Sequence, residues 1–322
     1  MNPKYRLFSF LLILSCSIAE ETKFVNIPLE GLITDPNQEI SGMDWYKNDL
    51  VLLPENLGGF LFMISKDEII ASLNTDIPEA INPRKIPFVT PDYSTKIPGF
   101  EGFESIAFTG NHFVVTLEAK QGKDMHGYLA RGTIDPKSLE AIIDEEAPLE
   151  LPVPVQVNNM TYESTLIDKD NVILCYEANG KNIRDSVWQY VVSMKNDSIS
   201  KIEFPNIEYR ITDVTRLNSE NHFWAINYLW KGDKKRLNPA YDSIAAMFGE
   251  GKTHQNSEAV ERLLEFEITG GKIQLFNREP IQIELDDKES RNWEGIVRLD
   301  EKGFLITTDK YPGTVLGFVQ KN

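Results

Sequence analysis

The chain has 322 residues, 41% of them hydrophobic and 25% charged, with 49 acids against 33 bases and a net charge of −16. That is the composition of a globular chain with ample core, and so acidic a surface excludes nucleic acid and anionic membrane as electrostatic partners. Its two cysteines, Cys16 and Cys175, leave no room for a disulfide framework.

Residues 1–19 read as an export signal. Lys4 and Arg6 precede "LFSFLLIL", an apolar stretch too short to span a bilayer. Cleavage follows Ala19, or falls at Cys16, where "LILSC" resembles a bacterial lipobox and Cys16 then carries the lipid. The expected location is extracytoplasmic: periplasmic, outer-membrane lipoprotein or secreted, with membrane contact only through that anchor. Losing two bases and no acid moves the charge from −16 to −18. The mature chain, 20–322, is expected to act as a monomer. Cys175, inside "NVILCYEA", reads as a small buried hydrophobe.

Along the mature chain one layout recurs. "SGMDWYKNDLVLLPE" (Ser41 to Glu55), "ESIAFTGNHFVVTLE" (Glu104 to Glu118), "ESTLIDKDNVILCYE" (Glu163 to Glu177), "DVTRLNSENHFWAIN" (Asp213 to Asn227) and "NWEGIVRLDEKGFLITTDKY" (292–311) each place two apolar runs around a polar turn. Such patterns form β-hairpins, and antiparallel pairing brings their outer residues together at the open end. The starts stand 63, 59, 50 and 81 residues apart. Further strand-like runs, "GGFLFMIS", "HGYLARGTID", "VWQYVVSM" and "ERLLEFEITGGKIQLF", fill the intervals. The last repeat, ending in "GTVLGFVQKN", is one strand short, and "KFVNIPLEGLI" near the mature N-terminus supplies it.

The fold expected is therefore all-β, a single β-propeller of about five four-stranded blades closed by an N-terminal strand. The alternative is six blades, the sixth hidden in the 81-residue interval. Residues 228–257 form an uncommonly long connection with a helix-compatible "YDSIAAMF", and a lid over the channel mouth is expected there.

In a propeller the first strand of each blade lines the axis. Ser41, Glu104, Glu163, Asp213 and Glu294 then form an inner ring, with Glu55, Glu118, Glu177, Asn227 and Asp309 as its companion. Converging carboxylates repel, so they protonate or take a cation. Each acid alone serves equally well by bonding backbone amides or a lysine. As a set with oxygen-only donors they suit Ca²⁺ better than Mg²⁺ or zinc. Lys120, Lys181, Lys231 and Lys310 follow the second ring, either as its salt-bridge partners or as binders of an anionic group. Tyr228, Trp230 and Tyr311 are placed to flank a ligand or to pack in the core.

The elements "GFEGFESIAF", "NMTYESTL" and "NWEGIVRLDEKGFLITTDKYPGTVLGFV" resemble the esterase-like activity of phytase family and, more broadly, calcium-dependent lactonase and esterase propellers. The resemblance implies one central calcium held by Glu104, Glu163, Asp213 and Glu294. Ser41 in the first strand and "WEG" in the last are also similar to apyrase-type calcium-activated nucleotidases. Two functions follow as expectations. One is a metal-dependent hydrolase of a small ester, lactone or phosphoester, with Glu118, Glu177 or Asp309 activating water. The other is a non-catalytic propeller that binds a small ligand or partner at the envelope, its ion structural. "AMFGEGKT" (246–253) matches a loose phosphate-loop pattern but lacks the preceding parallel strand.

Overall fold

The computed structural model describes residues 19–286 and 290–321; the export segment and Cys16 lie outside them. Each apolar run becomes a strand, and the strands pair in chain order into five blades. Blade one is Ile40–Tyr46, Asp49–Pro54, Phe60–Ser65 and Arg84–Val89. Blade two is Phe100–Thr109, His112–Gln121, Asp124–Ile134 and Ala141–Ile143. Tyr162–Asp168, Asn171–Tyr176, Trp188–Ser193 and Ile199–Glu203 make blade three. In blade four, Arg210–Val214 and His222–Leu229 lead to Val260–Thr269, which pairs with both Lys272–Leu275 and Ile281–Ile283. Blade five is Trp293–Leu299, Gly303–Thr308 and Leu316–Gln320.

The N-terminal strand Val25–Ile27 completes blade five by pairing antiparallel with Leu316–Gln320. Just before it, Glu21–Thr22 pairs parallel with Ile281–Ile283 of blade four. The first strands contact one another in ring order, so the channel is walled by Ile40–Tyr46, Phe100–Thr109, Tyr162–Asp168, Arg210–Val214 and Trp293–Leu299. No sixth blade occurs in the long interval: residues 230–259 form an insert with short helices at Lys234–Leu237 and Ser243–Phe248.

Inner and second strands are covered on both faces, which is why they read as unbroken apolar runs such as "VLL" and "VIL". Five apolar clusters lie between neighbouring blades. The one joining blades one and two packs Leu53, Leu61 and Met63 against Phe103, Phe113 and Val115. Each such fully buried side chain contributes roughly 1.5–3 kcal/mol. Cys175 belongs to the cluster between blades three and four, and burial pushes its thiol up to about 12.

The phosphate-loop-like segment has a structural role. Glu21 accepts from Thr253 N at 2.9 Å, Thr253 Oγ1 at 2.6 Å and His254 N at 3.2 Å, with His254 Nδ1 at 2.8 Å. The loop's amides thus hold a carboxylate of the same chain and pin the N-terminal strand to the insert.

Candidate active site

Every inner strand carries a β-bulge near its start. The unpaired residue is Ser41 in blade one, Glu104 in blade two, Glu163 in blade three and Glu294 in blade five. In blade four two residues, Thr212 and Asp213, lie between the paired Ile211 and Val214. A bulge re-aims the side chain it carries, so all five strands depart from alternation at one level of the channel.

Blade four keeps the register of blade three, but its ring residues face elsewhere. Ile211 pairs with Asn227 and Val214 with Ala225, as Thr161 stands against Glu177 and Ser164 pairs with Cys175, so Asp213 and Asn227 stand at the positions of Glu163 and Glu177. Thr212 donates to Trp293 O at 2.6 Å. Asp213 points along the wall and accepts from Ile296 N at 2.7 Å. Asn227 is turned into its own blade, donating to Glu208 O and Arg210 O and accepting from Arg262 Nε.

Three residues before Asp213, Arg210 reaches inside the acid ring. Its Nη2 lies 3.5 Å from Glu163 and 3.4 Å from Glu294, its Nε pairs with Glu177, and its Nη1 is 3.8 Å from Asp233. Nη1 also donates to Asn292 Oδ1 at 3.3 Å, and the guanidinium carbon stands 5.6 Å from the Tyr228 ring centre. Burial alone would lower the arginine's pKa, and Glu163, Glu294 and Asp233 more than reverse that. Asp233 in turn accepts from Arg236 at 2.7 Å.

The acids beyond its reach, and Glu294 in spite of it, are pushed upward. Burial, then Glu118 and the other acids, holds Glu104 well above the carboxylate range. Burial and the hydrogen bond with Glu39 raise Glu55 to about 9. Burial and Glu163 raise Glu118 to about 8, against the opposing bond from Thr161 Oγ1 at 2.8 Å. Gly102 lets Glu55 lie close, since a Cβ there would meet its Cγ at 2.3 Å. Glu294 is also held well above its usual value by burial and Asp309. Burial lifts Asp309 to about 6. These two meet at Asn292, whose Nδ2 donates to Glu294 at 2.5 Å and to Asp309 at 3.4 Å.

Above this floor opens a cavity of about 680 Å³. Arg210, Tyr228 and Asn292 line its base, while Trp230, Lys231 and Tyr311 line its sides. The insert borders it through Trp230, Lys231, Asp233 and Arg236, on the acid-bearing face. Trp230 and Tyr311 are 48% and 61% exposed, which leaves their rings open to a ligand. A smaller cavity of about 320 Å³ at the other mouth includes Asp44, Lys169 and Arg216, with Asp44 accepting from Arg216 at 2.7 Å.

Of the residues singled out in the sequence, Glu104, Glu163 and Glu294 come together with Glu55, Glu118, Glu177 and Asp309 around the channel mouth. Ser41 is buried with Leu53 O 3.5 Å from its hydroxyl. Lys231 borders the cavity. Lys310 pairs with Glu39, Lys181 with exposed Asp185 at 3.4 Å, and Lys120 is half-buried beside blade two. Sequence reasoning missed Arg210, Asp233, Arg236 and Asn292. The available signal was an arginine on an innermost strand, in "YRITDV", where only a paired cation is stable.

The calcium expected on the axis meets a fixed charge. Glu163 and Glu294 face a guanidinium, Asp213 faces an amide, and among the described residues no three His, Cys, Asp or Glu side chains are grouped to hold an ion. As arranged, this donor set does not fit a calcium at that point.

No family model matches the chain, and no curated protein matches its sequence. Solved structures match its fold. One represents the GH130 family of mannoside phosphorylases, described as containing glycoside hydrolases that target β-1,2 mannosidic linkages in Candida mannan. It has a TM-score of 0.51 at 10% identity, over 96% of this chain and 95% of that one. A glycosyl hydrolase from Bacteroides ovatus aligns with a TM-score of 0.51 at 11% identity, over 94% of each chain. The chain is thus a five-bladed β-propeller similar in fold to β-propeller glycoside hydrolases. At such identity the likeness is one of fold alone. The likeness to esterase-like phytase propellers and apyrase-type nucleotidases stays with the motifs that suggested it.

Proposed function

We propose that the protein is a hydrolase of a small ester, lactone or phosphoester bound in the acid-face cavity. The observation that carries this reading is the pair Glu294 and Asp309 on one amide, that of Asn292, which itself lines the cavity. Two carboxyl groups whose surroundings set their pKa values apart divide into an acid and a base. Glu294, held well above its usual range, donates a proton to the leaving oxygen. Asp309, at about 6, is ionised at neutral pH and activates water. Lys231 and Arg236 attract an anionic group, and Trp230 and Tyr311 offer flat faces to the rest of the ligand. No step is routed through calcium, for the reason of fit given above.

A second reading is glycoside hydrolysis. Paired carboxyl groups and an aromatic rim suit that chemistry, and glycosidic linkages are what the structural neighbours are described as cleaving. The test is turnover of p-nitrophenyl esters, lactones, p-nitrophenyl phosphate and p-nitrophenyl glycosides by the mature protein, with Asp309→Asn and Glu294→Gln alongside. Activity lost in both variants supports the reading, and the productive panel names the bond. Activity that survives both substitutions, or ligand binding without turnover on every panel, sinks it in favour of a binding propeller.

A further inference from the structure

We infer that Arg210 is the resident counter-ion of the acid ring, so the propeller neutralises its channel mouth from within the chain and needs no divalent cation there. This goes beyond the hydrolase reading and holds or fails without it.

The geometry is that of a shared ion. One guanidinium reaches Glu163 and Glu177 of blade three, Glu294 and Asn292 of blade five, and Asp233 of the insert. Tyr228 of its own blade backs it, and the side chain is 8% exposed. A guanidinium offers five donors in a fixed plane, which lets a single residue serve carboxylates arriving from several directions. Glu163 and Glu177 stand at the open end of one hairpin of blade three, Glu294 and Asn292 at the start of blade five, and Asp233 in the insert.

Acids beyond its reach are served differently. Glu55 bonds Glu39, whose other partner is Lys310, and Glu118 accepts from Thr161. A divalent ion at the centre would stand beside a fixed positive charge in a poorly solvated channel, where repulsion is strong. Ring and arginine together therefore form a closed set.

Metal content and thermal unfolding decide the matter. Purified mature protein should carry well under one calcium per chain. Its midpoint should not move with a chelator or with millimolar calcium at neutral pH. A tightly held calcium at one per chain, or a midpoint raised several degrees by calcium, overturns the inference. Arg210→Met should lower the midpoint by several degrees and make added calcium stabilising, while Arg210→Lys should retain more of the wild-type midpoint. An Arg210→Met variant as stable as wild type also overturns it. Should that variant not fold, the wild-type metal content and calcium response decide alone.

Discussion

Arg210 and Glu177 lie side by side at the channel mouth, on neighbouring blades, with Glu177 fully buried and Arg210 nearly so. A buried carboxylate of this kind is tolerated only with its partner in place. Removing the partner leaves Glu163 and Glu177 uncompensated, so Arg210→Met should cost roughly 3–5 kcal/mol in denaturant-induced unfolding. A loss well under 1 kcal/mol would show that the ring keeps itself neutral by protons alone.

The acids outside that pairing predict the pH dependence of stability. Glu55 and Glu118 titrate near 9 and 8 in the folded protein, both above the ordinary glutamate value of 4.5. A raised folded pKa means the folded state binds the proton more tightly, so this stability is complete at low pH. It is lost as pH rises from about 4.5 through 8 and 9. The melting temperature should therefore fall between pH 5 and pH 9. Glu118→Gln should flatten that fall and stabilise the protein at pH 9. A melting temperature that rises over this range contradicts the assignment.

Activity should follow the other carboxyl pair. If Asp309 is the base, kcat/KM rises with pH through about 6, as that carboxyl ionises. Asp309→Asn should cut turnover by roughly 10²–10⁴. It should also abolish the acid limb of the profile while the fold persists. An unchanged profile removes Asp309 from the reaction.

Trp230 and Tyr311 present their rings at the cavity rim and are largely solvent-exposed. Trp230→Ala and Tyr311→Ala are expected to raise KM with little change in kcat, because they remove uniform binding. Melting temperatures should stay near wild type. A kcat effect without a KM effect would place the rings in the chemistry.

The N-terminal clasp gives a further check. Glu21 accepts from Thr253 and His254 and joins the strand Glu21–Thr22 to the insert. Glu21→Ala strands several buried donors, which costs roughly 1–3 kcal/mol per unsatisfied group at the upper end. Limited proteolysis should then cut within 249–257 sooner than in wild type. Equal cleavage rates would mean the clasp holds nothing.

The sequence by itself determined the blade plan and most of the acid ring. Apolar runs around "KND", "TGN", "DKDN", "NSEN" and "DEKG" became hairpins because turn chemistry and continuous apolar character are local properties. The orphan strand at Val25–Ile27 closed the last blade because an unpaired edge had one complement. What the tertiary structure decided is who faces whom at the axis. Blade four keeps the common register, yet Asp213 accepts from the Ile296 amide and Asn227 turns into its own blade. Arg210, three residues before Asp213, is what blade four places among the acids. Which way a side chain turns at a bulge leaves no mark in composition or spacing, so the cation at the centre had to be seen in three dimensions.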